Sequence, residues 1–342
     1  MKKVLKELDI FSGIAILCVV LIHSNAFYLS NVLNLQSYKD ATFSVRVLDN
    51  FVHSAVPMFI FIAGYKYALN NIDNNYKEYV LKKINSVIKP FLVISLIFII
   101  RNIMLFPNYY SIKSIAIEVL SIFIGYNPAY QLWYIPMYIF VTCTYPIIYK
   151  LLKGKIRMFV ILFLLLLQEI LSIKFNILSK YPFNFTYYYL FFEMGLIFYK
   201  YNFKKYIQKT NIFMITFCIY LAITVMLNAN GNPELYVISR KYLLYPVSII
   251  FYYGLSLKLI NSKVLYYLGK NSFYIFLLHE PIICTGISNL FKTINVYNSI
   301  AFVFISCILT IIMTIIVYKI IDKTFIRNIL FNNKQIAKAI SD

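Results

Sequence analysis

Ten apolar stretches, each near the length that crosses a lipid bilayer, divide this chain and restrict what it can fold into. They lie at about 10–29, 51–69, 87–106, 131–152, 157–173, 184–199, 211–228, 241–260, 271–290 and 298–321. The hydrocarbon core of a bilayer is about 30 Å thick, and a helix rising about 1.5 Å per residue crosses it in about 20 residues. Segments 157–173 and 184–199 are the shortest, so a partly re-entrant path stays open for them. The chain is 61% hydrophobic and 13% charged, whereas soluble domains are near half apolar and about a quarter charged. That excess must face lipid. The expected fold is an all-α integral membrane protein, a bundle of about ten transmembrane helices.

Orientation follows from basic residues in short loops, which collect on the cytoplasmic side. With the amino end inside, 24 of the 33 Lys and Arg fall on the inner side, 8 on the outer, and Arg101 lies within the third segment. Both termini are therefore expected in the cytoplasm. The same placement accounts for the net charge of +20, and no nucleic-acid partner is expected. The first apolar run has no small-residue cleavage site after it and reads as a retained span. No repeat or Gly/Ser linker divides the chain. Residues 1–327 are expected to form one transmembrane domain and 328–342 a short basic cytoplasmic tail. In the outer connection 107–130, Ile112, Ile115, Ile117, Val119 and Leu120 suit a short helix at the membrane interface. The five cysteines all fall in apolar segments without metal-ligand spacing and read as small core residues.

Three histidines are the main candidates for chemistry. His23 lies in the outer half of the first segment, His53 at the outer mouth of the second, and His279 inside the ninth. A neutral imidazole can take a proton from an alcohol near pH 7. It can equally give its N–H to a backbone carbonyl and only fix packing. No nucleophile elbow or Ser-His-Asp order is present, and three histidines on separate segments have no metal-ligand spacing, so no metal site is expected. Asp9, in the first turn of the first segment, suits the helix dipole. Glu193 and Glu169 lie in or near apolar segments and need partners.

Five stretches in order resemble the acyltransferase-3 family of integral membrane acyltransferases. The first segment supplies Leu8, Asp9, Gly13, Ile14, Ala15 and, at the end of its apolar run, His23. The stretch from Val56 to Tyr65 is similar to the family's second span, and Lys82, Lys83 and Pro90 resemble the basic stretch before its third. Gln131 to Phe140 looks like the Leu-Trp span, with the only tryptophan in the chain, and Leu268 to Ile282 resembles the Gly-Lys-Asn-Ser…Leu-His segment.

The resemblance implies transfer of an acyl group, usually acetyl, from cytoplasmic acyl-coenzyme A as co-substrate, with no bound cofactor. The acceptor would be a hydroxyl of a cell-surface glycan or a lipid-linked sugar. It implies the catalytic role for His23. The basic mouth Lys82, Lys83 and Lys89 would meet the donor's phosphates, although positive-inside topology explains the same lysines. Asn271 and Ser272 would hold the oxyanion or else cap a helix, with Asp9, Ser12 and His279 as further supporting positions. Trp133 and Tyr134 would stack on a sugar ring or form an interfacial belt. In two places the chain departs from the family pattern. An arginine usual eleven residues before the histidine is Ser12 here, and the second basic residue of the Arg-x-x-Arg loop motif is Ser86. Those departures keep a second expectation open: export of a glycan or lipid-linked sugar on the same fold, without acyl transfer.

Overall fold

The computed structural model describes residues 5–27, 43–70, 76–124, 130–175, 185–208, 210–229, 238–293, 301–324 and 327. Among them all regular structure is helical. Helices stand at each of the ten apolar segments, and six stretches are long and apolar enough to cross a membrane. These are Lys6–Ala26, Ser44–Leu69, Tyr76–Leu105, Gln131–Leu151, Ser272–Thr293 and Ala301–Asp322. The tail 328–342 lies outside the described residues.

Internal packing groups the chain into two units interleaved in sequence: 3–62 with 201–320, and 63–200 with 1–2 and 321–342. In the first, α1 (Lys6–Phe27) is the central element. Leu8, Ile10, Phe11, Ala15, Ile16 and Val20 are all buried, so the helix is enclosed on several faces rather than on one stripe. Around it lie α2 (Phe43–Val52), the start of α3 (Ala55–Leu69), α10 (Phe203–Ile207) and α11 (Thr210–Ala229). The unit is completed by α12 (Tyr245–Lys258), α13 (Lys263–Lys270), α14 (Ser272–Leu278), α15 (Cys284–Thr293) and α16 (Ala301–Asp322).

Two glycines let α1 and α13 touch backbone to backbone. A Cβ on Gly13 would fall 2.1 Å from the Leu265 carbonyl oxygen, and one on Gly269 would fall 1.8 Å from that of Asp9. Small residues at a membrane-helix crossing permit this approach. The pairs Asp9/Gly269 and Gly13/Leu265 run in opposite senses, so α13 is antiparallel to α1. The chain then reverses at Asn271, and α14 climbs back alongside α1. Ser262 caps α13, its hydroxyl accepting from the Leu265 N–H at 3.2 Å.

The break between α2 and α3 frees carbonyl groups where water is scarce. The hydroxyls of Tyr220 and Tyr252 both donate to the Phe51 carbonyl, at 2.7 and 2.6 Å. Two phenols thus supply the donors that water would supply at a soluble helix end.

The second unit holds the end of α3, α4 (Tyr76–Lys83), α5 (Lys89–Leu105), α6 (Ile112–Ser121), α7 (Tyr134–Leu151), α8 (Gly154–Phe175) and α9 (Tyr189–Lys200). The twelve residues of α9 span about 18 Å, short of a bilayer's hydrocarbon, whereas the 22 residues of α8 span about 33 Å. A Cβ on Gly64 would fall 2.0 Å from the Phe192 carbonyl oxygen, a second glycine-mediated crossing. The interfacial helix expected in 107–130 is present as α6, opened by a reciprocal cap between Ser111 and Ser114. Its Ile112, Ile117 and Leu120 are exposed.

Three wide π-type turns, Ile84–Ile88, Arg240–Leu244 and His279–Ile283, each sit at a proline: Pro90, Pro246 and Pro281. A proline ring clashes with the carbonyl four residues before it and offers no N–H, and widening the preceding turn relieves both faults. All five cysteines are free thiols. Cys18, Cys284 and Cys307 are buried as expected, but Cys218 is exposed on the outer face of α11 and is not a core residue.

Candidate active site

At the far end of α1, His23 and His279 meet. Both are buried, and their ring centroids stand 4.9 Å apart at 58°. The pairing follows from the layout: α14 runs beside α1 in the same direction and ends where His279 begins. The Nδ1 of His279 lies 3.0 Å from the Ile275 carbonyl and 2.9 Å from that of Phe276. A carbonyl only accepts, so Nδ1 carries the hydrogen.

Other polar groups collect around the pair. Ser24 Oγ lies 3.8 Å from Cys284 Sγ. Glu280 is buried next to His279 and accepts from the Thr285 hydroxyl at 3.0 Å. The helix is broken there: Glu280 has φ −126° and ψ 154°, an extended residue between two helical pieces. A helix interrupted at membrane depth with ionisable side chains is a recurrent form of binding site. Asn25 is fully buried, with neither amide atom bonded among the described residues.

His53 belongs to a different cluster. Its Nδ1 lies 3.0 Å from Asp49 Oδ1, and Arg240 Nη2 lies 2.9 Å from Asp49 Oδ2. The position i, i+4 on one helical face accounts for the first contact, and the buried carboxylate is held from both sides.

The remaining expected residues divide by location. Asp9 ion-pairs with Lys270 at 3.2 Å, and Glu7 pairs with Lys204 at 2.5 Å, both at the amino end of α1. Ser12 is buried, and its hydroxyl donates to the Leu8 carbonyl at 2.8 Å. The position where the family has arginine is therefore a closed, locally satisfied spot. Asn271 and Ser272 adjoin Lys270 and so stand at the Asp9 end, with His279 about 10 Å further along α14. The Asn271 amide returns to the Tyr267 carbonyl at 2.8 Å. The structure does not bring these two residues to the histidines.

Lys82, Lys83, Lys89, Trp133 and Tyr134 all belong to the second unit. Lys82 and Lys89 are exposed. Lys83 donates to the Tyr138 hydroxyl and lies over the rings of Tyr138 and Tyr79, at 4.4 and 5.5 Å. Tyr134 packs on Tyr138 at 5.5 Å between centroids, and Trp133 lies 6.4 Å from Tyr188. One expected donor residue and both expected stacking residues thus share a wall of aromatic rings. In the same unit Glu193 finds the partners it needs, Arg157 at 2.7 Å and the Tyr145 hydroxyl, so that pair is a closed structural network. Glu169 is half-buried on α8.

Sequence reasoning missed Asp49, Arg240, Glu280, Ser24 and Asn25. The i, i+4 spacing of Asp49 and His53, and the polar run His23-Ser24-Asn25 at the end of an apolar helix, were the available signals.

An all-helical apolar chain with two imidazoles in contact on its central helix has the makings of a membrane enzyme. The chain belongs to the acyltransferase-3 family: its acyltransferase domain matches residues 5–319, nearly the whole length. No curated protein and no solved structure matches it. Membership makes it a membrane acyltransferase in the general sense.

Proposed function

We propose that this protein is an O-acyltransferase of the cell membrane, with about ten spans and both termini in the cytoplasm. It transfers an acyl group, acetyl in the first instance, from cytoplasmic acyl-coenzyme A to a hydroxyl of a surface glycan or lipid-linked sugar. The observation that carries this reading is the contact between His23 and His279, two buried imidazoles at 4.9 Å with ionisable and hydroxyl neighbours. An alcohol becomes a competent nucleophile toward a thioester when a base removes its proton, and imidazole is the side chain suited to that near neutral pH. The buried surroundings exclude bulk water that would hydrolyse the thioester.

Donor phosphates would be met by Lys82, Lys83 and Lys89. With Lys83 already engaged by two phenols, exposed Lys82 and Lys89 are the better placed. Trp133 and Tyr134 would offer ring faces to a sugar. The test is direct. Purified protein in nanodiscs, given labelled acetyl-coenzyme A and the cell's own lipid-linked glycan, should yield labelled ester. Glycan from a deletion strain should lack those esters. Export of an unmodified glycan that continues without any ester would replace this reading with transport.

A further inference from the structure

We propose that His279, through Nε2, is the residue on which the acceptor's proton comes to rest during transfer, while His23 borders the same reaction space. The inference rests on the acyl-transfer reading and specifies which nitrogen does the work. A neutral imidazole carries one N–H. In His279 that hydrogen is on Nδ1, since its neighbours Ile275 O and Phe276 O, at 3.0 and 2.9 Å, can only accept. Nε2 therefore presents a lone pair. That atom is fully buried and has no hydrogen-bond partner among the described residues.

An unmatched acceptor at membrane depth is unfavourable unless a ligand completes it. The two carbonyls play the part that a buried carboxylate plays in a hydrolase triad: they set the tautomer and hold the ring. With its centroid 4.9 Å from that of His279, the His23 ring forms a wall of the space that Nε2 adjoins. Histidine 279 thus meets the requirement for an oriented base on printed geometry, whereas family resemblance pointed first to His23.

The step balances as follows. The acceptor oxygen attacks the carbonyl carbon of the acyl thioester and its proton passes to His279 Nε2. The new C–O bond forms and the C–S bond breaks. The departing sulfur takes the proton back, leaving a free thiol, an ester and neutral His279.

Two measurements test this. The protein holds only three histidines, so 15N-histidine labelling in nanodiscs gives a spectrum that His279→Gln assigns by subtraction. The expected tautomer is hydrogen on Nδ1 and bare Nε2; hydrogen on Nε2 overturns the proposal. In the transfer assay, His279→Gln and His279→Ala should lower kcat a hundredfold or more and leave KM for acetyl-coenzyme A within about threefold. Added imidazoles should restore His279→Ala turnover in the order of their basicity, which a packing role would not produce. Near-normal kcat in the glutamine variant overturns the proposal and leaves acyl transfer standing. If wild type moves no acetyl group, the acyl-transfer reading falls. The nitrogen spectrum still decides whether His279 Nε2 is an open acceptor.

Discussion

Replacing Gly13 by alanine tests how the catalytic helix is held. The new Cβ would lie 2.1 Å from the Leu265 carbonyl oxygen and 2.9 Å from its carbon, where ordinary contact begins at 3.4 Å. Closing that deficit means moving α13 away by about 3.4 − 2.1 = 1.3 Å, and no side-chain rotation helps because both obstacles are backbone atoms. For Gly269→Ala the corresponding shift is about 3.4 − 1.8 = 1.6 Å, against the Asp9 carbonyl. Either shift stretches the neighbouring Asp9–Lys270 pair, now 3.2 Å. Overpacking typically costs about 1–3 kcal/mol, and a rigid backbone clash belongs at or above the top of that range. Gly286→Ala is the control: nothing lies within 4 Å of its Cβ, and alanine improves helix propensity by up to about 1 kcal/mol. Melting in detergent, followed by thiol-reactive dye or by size-exclusion recovery after heating, should place Gly13→Ala at least about 5 °C below wild type. Gly286→Ala should stand level or slightly above. Gly13→Ala melting within about 1 °C of Gly286→Ala would refute the backbone-contact reasoning.

Further outcomes are open to measurement. His23→Ala should lower acyl transfer about a hundred- to ten-thousandfold with the protein still in the membrane. His53→Ala, in its separate Asp49–Arg240 cluster, should change transfer little; the reverse ranking would move the chemistry to the other cluster. Ser12→Arg places a cation where the native hydroxyl is buried and satisfied by Leu8, so it should misfold rather than tighten coenzyme A binding. A well-folded variant with about tenfold higher donor affinity would show that the position opens onto the donor site. Cysteine labelling at Lys39, Lys113 and Lys180 should proceed from outside on intact cells. Labelling that requires permeabilisation would invert the topology.

The helical class was legible because apolar runs near twenty residues admit few alternatives at a membrane, and helices do stand at each run. Spacing on one helix was also readable in principle: Asp49 and His53 are four apart, and their contact needs no tertiary knowledge. What no periodicity reveals is which helices adjoin. His23 and His279 are separated by 256 positions along the chain. Their meeting depends on α13 and α14 doubling back along α1, a path set by two glycines and a reversal at Asn271. The same reversal explains why Asn271 and Ser272, close to His279 in sequence, belong to the opposite end of α1. Ser12 reads as a missing charge in sequence and as a filled, satisfied position in space.

The three proline-linked wide turns carry a consequence for chain length. Such a turn holds one residue more than the α-helix it interrupts, so whatever follows is rotated by about 100° about the axis. Removing one residue from Arg240–Leu244 would turn α12 by that angle and carry Tyr252 off the Phe51 carbonyl it now reaches at 2.6 Å. Single-residue deletions in these three turns should therefore act as rotations of entire helices, whereas deletions within the outer loops change only slack.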